Sequence, residues 1–175
     1  MPSHRNPPPP LDAAALERLA LRYVERYATT RAKLAAYLAR KLRERGSDGP
    51  MPDIGGLVER FAELGYVDDR AFGEMRAAAM ARRGLGARRV SQALRFAGVE
   101  EADAEALAPE IDDRRVETAL AFARRKRIGP FAAEEADRPK REKQIGAMVR
   151  AGHDFSLSRR IAEMKPDDDI SLLEE

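Results

Sequence analysis

The sequence has no cysteine and no tryptophan, few aromatics, and no apolar run near the roughly 18–20 residues a membrane span needs. The absence of cysteine removes disulfides, thiolate metal sites and cysteine nucleophiles, and fits a reducing compartment. The start, Met1-Pro-Ser-His-Arg-Asn followed by Pro7 to Pro10, lacks the apolar centre of a secretory signal. A cytoplasmic location is therefore expected. β-Branched residues are scarce too, which disfavours strands. What is abundant is Ala, Leu, Arg and Glu, residues that lose little rotamer freedom in a helix. An all-α fold with almost no sheet is expected.

The 32 basic and 30 acidic side chains nearly balance, at a formal +2, but they are unevenly spread. Pro166 to Glu175 hold five acids and no base, which leaves residues 1–165 at a net +7. This asymmetry favours a polyanionic partner, with an acidic tail beside a basic body.

The 175 residues suffice for one ordinary domain or a short array of small helical units. Residues 1–10 read as a solvated proline-rich arm. Asp12 suits an N-cap, with Leu11 and Leu16 at the flanking staple positions, and Leu16, Leu19, Ala20, Tyr23 and Tyr27 recur at helical spacing. Thr29 or Thr30 opens a second helix with Leu34, Leu38 and Leu42 as its buried stripe and Gly46 as its stop. Asp53 opens a third, through Ile54, Leu57, Val58, Phe61 and Leu64.

The cycle then recurs. Asp68 or Asp69 opens a helix carrying Phe72, Met75 and Ala79; another runs through Val90 and Leu94 to Gly98; a short one ends at Pro109. A third cycle begins near Asp112-Asp113, sets Val116, Leu120 and Ala123 on one face, and ends at Arg124 to Arg127. Gly129-Pro130 breaks it. A helix from about Pro139 reaches Gly152, and the last contains Leu157, Ile161 and Met164.

Leu42-Arg43-Glu44-Arg45-Gly46, Leu94-Arg95-Phe96-Ala97-Gly98 and Met148-Val149-Arg150-Ala151-Gly152 align without gaps, their glycines 52 and 54 residues apart. Three three-helix repeats are expected, at residues 11–66, 67–110 and 111–165, between the arm and an acidic tail at 166–175. Each is too small to bury a full core alone, so stacked tandem units would share apolar surface in an elongated, curved molecule.

Three segments together resemble the RecX family of recombinase regulators. Gly65-Tyr66-Val67-Asp68-Asp69-Arg70-Ala71-Phe72 is similar to its Gly-Tyr-aliphatic-Asp-Asp-x-x-Phe signature. Arg82-Arg83-Gly84-Leu85-Gly86-Ala87-Arg88-Arg89-Val90 follows at the family's spacing, and Thr30-Arg31-Ala32-Lys33-Leu34 resembles a Ser-Arg-x-Glu-Leu pattern. Lys33 departs by standing where Glu is usual, Gly73 by replacing an Ala, and His153-Asp154 by intervening before Phe155. The resemblance implies a tandem three-helix-repeat fold and a role in DNA repair, recombination and the SOS response. It implies binding to the RecA filament and inhibition of its assembly, strand exchange and ATP hydrolysis.

Adjacent Asp68 and Asp69 invite a metal reading, but no regular spacing of further oxygen ligands supports it. One caps the next helix and the other favours its dipole, with Tyr66 and Phe72 packed beside the turn. Gly65, Tyr66, Asp68, Asp69, Phe72, Gly84 and Gly86 are thus expected to be structural. No strand precedes Gly84 and Gly86 and no Gly-Lys-Ser/Thr follows, so they make an inter-helix turn rather than a nucleotide loop. His4 and His153 have no plausible metal partners, and no serine sits in a nucleophile elbow. No catalytic residue, metal or cofactor is expected.

The arginine clusters carry the functional expectation. Arg82, Arg83, Arg88 and Arg89 surround a glycine corner, with Arg95 about two turns on. Arg124, Arg125, Lys126 and Arg127 occupy the equivalent helix end of the third cycle, and Lys140, Arg141, Lys143 and Arg150 decorate the helix after it. Solvated helix faces and dipole-favoured C-termini account for any single arginine. The recurrence at equivalent ends points instead to a basic face for the recombinase filament and for single- or double-stranded DNA, through phosphate contacts. No membrane contact is expected, and a monomer suits a chain lying along a polymer. Two other readings stay open: a helix-turn-helix-like DNA binder, weakened by the acidic stretch from Glu100 to Leu107, and a helical-repeat protein-binding adaptor.

Overall fold

The computed structural model describes residues 9–173. Residues 1–8, with His4 and most of the expected arm, and residues 174–175 of the expected tail lie outside them. Nine α-helices follow one another among the described residues: α1 Ala13–Arg26, α2 Arg31–Arg45, α3 Ile54–Glu63, α4 Asp69–Arg82, α5 Ala87–Ala97, α6 Glu101–Asp113, α7 Arg115–Lys126, α8 Arg138–Arg150 and α9 Phe155–Glu163. The fold is all-α.

Most helices start where a short oxygen side chain meets their first free amides. Asp12 accepts from Ala15 N at 2.6 Å, Asp53 from Gly56 N at 3.0 Å, Asp137 from Lys140 N at 2.9 Å and Asp154 from Leu157 N at 3.0 Å. Such caps fix helix starts whatever the packing around them.

The chain packs as two compact units, one running to Phe72 with Ala97–Val99, the other comprising Gly73–Phe96 and the chain from Glu100 onward. In the first, Leu16 and Ala20 of α1, Leu34 and Leu38 of α2, and Leu57, Val58 and Phe61 of α3 form the core, with Leu11 and Val67. Leu11 N donates to Gly46 O at 2.9 Å and makes an isolated bridge with Ser47. Pro9 O accepts from Arg45 Nε at 2.8 Å.

Asp68 and Asp69 divide their work. Asp68 caps α4, accepting from Ala71 N at 2.9 Å. Asp69, buried, accepts instead from Arg31 N at the start of α2, at 2.9 Å. Both carboxylates thus serve helix starts. Tyr66 leans on Phe61, with ring centroids 5.4 Å apart, while half of its surface stays exposed.

Thr30 caps α2, accepting from Lys33 N at 3.2 Å while its hydroxyl donates to Ala97 O at 2.6 Å. Lys33 reaches no reciprocal cap; its ammonium lies 5.2 Å from the Phe72 ring centroid. Thr30→Val keeps the shape but leaves the carbonyl of buried Ala97 and the Lys33 amide without their partner. We expect a loss of about 2–3 kcal/mol, read as a lower urea midpoint.

Four details depart from the periodicity. Leu64 is exposed because it caps α3 rather than joining its inner face. Met75 is exposed and Met80 buried: five residues apart, they differ by about 140° around the helix, so one faces out. Helix α6 continues through Pro109 to Asp113, so Asp112-Asp113 finish a helix rather than opening the third cycle. Proline removes the donor to the Glu105 carbonyl, and both residues are exposed. Finally, α7 turns Thr118, Ala119, Phe122 and Ala123 inward, leaving Val116 and Leu120 half-buried at its edge.

In the second unit, that face of α7 packs with Ile128, Met148 of α8, and Leu157, Ile161 and Ala162 of α9. Leu173 closes this cluster from the 3-10 turn Ile170–Leu173, where Arg160 Nη2 donates to Leu172 O at 2.6 Å. The described part of the acidic tail is therefore packed on the unit.

Candidate functional site

The second unit turns sharply between α4 and α5. Gly84 adopts φ +65°, and a Cβ there would stand 2.7 Å from Phe122 N, too close for any side chain. Gly86 lies backbone to backbone against Gly152. Gly86 N donates to Ala151 O at 3.0 Å and Arg88 N to Gly152 O at 3.2 Å. The two glycines expected at an inter-helix turn are thus required by close approach.

His153, buried beside Phe122 with ring centroids 5.6 Å apart, completes the corner. Its Nε2 lies 3.0 Å from Gly84 O, and a nitrogen facing a carbonyl must carry the proton, so Nε2–H donates. Burial pushes its pKa below the ordinary histidine value, against the smaller opposing effect of the Gly84 bond. The unfolded chain therefore binds this proton more readily than the folded one. Stability from this group is complete above pH 6.5 and is lost as pH falls from there through the folded value. Urea midpoints compared at pH 7.5 and 5 should drop in the native chain, and drop less in His153→Gln.

Beside this corner, Arg82 and Arg83 at the end of α4 and Arg124 and Arg125 in the last turn of α7 line one open groove of about 640 Å³. Its floor is apolar, from Val116, Leu120, Ala121 and Ile170. Arg125 Nη1 donates to Arg83 O at 2.5 Å and its guanidinium carbon lies 5.5 Å from the Phe122 ring centroid. Arg124 lies over Phe131 at 4.9 Å. Stacking fixes the planar guanidinium while its remaining N–H groups face outward.

The one acid in the groove is already matched. Arg114 grips Glu117 through Nε and Nη2 at 3.0 and 2.9 Å, and these hydrogen bonds hold the Glu117 carboxyl below its usual range. Among the described residues, none of the four groove arginines has a carboxylate within 4.0 Å. The groove therefore carries uncompensated positive charge over an apolar floor.

The other basic residues stand differently. Arg88 and Arg89 open α5, where Arg89 Nη1 donates to Gln92 at 3.1 Å; the Asp154 carboxyl is held below its usual range chiefly by the Ser156 hydroxyl and the Leu157 amide, with Arg88 a minor addition. Arg95 is exposed in the last turn of α5, and Lys126 and Arg127 are exposed at the end of α7. Lys140 and Arg141 face Glu134 and Glu135 at 3.9 and 3.7 Å, while Lys143 and Arg150 are exposed on α8. Sequence reasoning named the four groove arginines but missed the floor. The signal was the spacing of Val116 and Leu120, which fits a groove edge as well as a core stripe.

Short capped helices in small three-helix sets, joined by glycine corners and tipped with arginine, define a helical-repeat protein. A family model for the second three-helix domain of RecX matches residues 68–107. The regulatory protein RecX of Myxococcus xanthus is 30% identical over 165 residues, covering 86% of each chain. This chain belongs to the RecX family. The regulatory protein RecX of Agrobacterium fabrum is 27% identical over 148 residues, covering 82% of this chain and 79% of that one. The crystal structure of RecX from Lactobacillus salivarius superposes with a TM-score of 0.67 at 19% identity, covering 85% of this chain and 93% of that one. Another RecX crystal structure gives 0.58 at 20% identity, with 86% and 73% covered. Among the described residues no helix is long and apolar enough to cross a membrane.

Proposed function

We propose that this protein is a cytoplasmic, monomeric regulator that binds the RecA recombinase filament on DNA and inhibits its assembly, ATP hydrolysis and strand exchange. It acts by binding rather than by catalysis. The observation that carries this reading is the convergence of Arg82, Arg83, Arg124 and Arg125 on one groove whose single acid is already paired. Guanidinium forks grip phosphates and carboxylates bidentately, and both line a nucleoprotein filament. The apolar floor excludes water and strengthens each contact. Arg88, Arg89, Arg95, Lys126, Arg127, Lys140, Arg141, Lys143 and Arg150 extend the contact on either side. A chain held there obstructs addition of the next recombinase protomer, and hydrolysis falls with the filament.

The test is a titration of the full chain into a RecA recombinase hydrolysing ATP on single-stranded DNA. The steady-state rate should fall progressively with added chain. A rate unchanged at saturation would contradict the proposal.

A further inference from the structure

The first unit holds a groove that the arginine clusters do not account for. Arg22, Tyr23 and Arg26 from α1, Tyr27 just after it, and Tyr37 and Arg40 from α2 line an open space of about 500 Å³. Tyr23 and Tyr37 stack with centroids 4.2 Å apart and planes 20° apart, and Tyr27 tilts 51° against Tyr23 at 5.3 Å. Arg26 and Arg40 lie over the Tyr27 and Tyr37 rings at 5.6 and 5.7 Å.

Aromatic residues at helical spacing usually belong to a core, and Tyr23 does pack on this one, as does Tyr37. Tyr27 does not. It follows the last residue of α1 and is 50% exposed. We propose that this groove binds single-stranded nucleic acid, stacking an unpaired base on Tyr27 while Arg22, Arg26 and Arg40 hold its phosphates. The site is separate from the arginine groove of the second unit and goes beyond the function proposed above.

Charge and shape both select this occupant. Three cations line the groove and no carboxylate does; among the described residues the acid paired with any of the three is Glu44, 3.7 Å from Arg40 Nε. Arg22 and Arg26 stand one helical turn apart, so one face offers two cations in a row to successive phosphates. An exposed ring beside them gives a π-face that any unpaired base can cover, whereas a duplex keeps its bases stacked inside. An acidic peptide would use the arginines and leave that ring idle.

The chain lacks tryptophan and three of its four tyrosines lie in this groove, so its intrinsic fluorescence reports the site directly. Titrating the full chain with oligothymidylate should quench that fluorescence. An abasic strand of equal length and charge should bind more weakly and quench little. Tyr27→Ala, checked for unchanged helicity by circular dichroism, should lose about tenfold in affinity for oligothymidylate and almost none for the abasic strand. Equal affinity for the two strands, or for polyglutamate, would overturn the proposal by showing a polyanion or acidic-protein surface. So would wild-type affinity in Tyr27→Ala. Joint reversal of Arg82, Arg83, Arg124 and Arg125 to Glu should leave tyrosine quenching intact, which separates failure here from failure of the filament reading.

Discussion

Reversing Arg82, Arg83, Arg124 and Arg125 together to glutamate is expected to abolish inhibition of a recombinase filament while leaving helical content unchanged. All four residues are exposed. The fold gives up little when they change, chiefly the Arg125 bond to Arg83 O and two ring contacts. Binding gives up far more. If each guanidinium contributes about 1 kcal/mol, losing four costs about 4 kcal/mol, nearly a thousandfold in affinity, before the repulsion of four new anions. The salt dependence should change with it, since each phosphate contact adds about 0.7–0.9 to the slope of log affinity against log salt. Reversal of Lys140 and Arg141, which already face Glu134 and Glu135, should cost much less. A folded groove variant that still inhibits fully would remove this groove from the site.

Gly152→Ala should be strongly destabilising to the second unit. Gly152 has φ +98°, and a Cβ there would lie 2.5 Å from Arg89 N, a backbone atom that cannot swing aside. Strain and overlap together should cost about 2–4 kcal/mol, or about 1–2 M in urea midpoint. Gly49→Ala is the control. Its φ of +92° is similarly strained, but its added methyl meets nothing within 4 Å, so a loss of about 1 kcal/mol is expected. Equal losses for the two would show that the approach of Gly152 to α5 is not tight.

What could be read in the sequence follows the range of each interaction. Asp12, the Thr29-Thr30 pair and Asp53 were legible as helix starts because a cap and the amide it satisfies lie three residues apart, though only the structure chooses Thr30 over Thr29. Arg82, Arg83, Arg124 and Arg125 were legible as clusters at helix ends. Their meeting over Val116 and Leu120 was not, because periodicity gives a helix an apolar face without saying which part of it stays open. His153 read as a loop residue, and its burial against Gly84 and Phe122 depends on a contact distant in sequence. Pro109 reads as a stop because an interior proline loses a backbone bond and crowds the preceding turn, yet α6 carries it at an exposed position. Tyr23 and Tyr27 fitted the helical spacing of a core stripe, and the exposure of Tyr27 is what separates a core from a platform.

Direct binding of the fluorescently labelled full chain to recombinase-coated single-stranded DNA, followed by anisotropy at rising salt, tests the central claim. Saturable binding that weakens steeply as salt increases is predicted. No binding to the coated strand at low salt, where charge contacts are strongest, would contradict it.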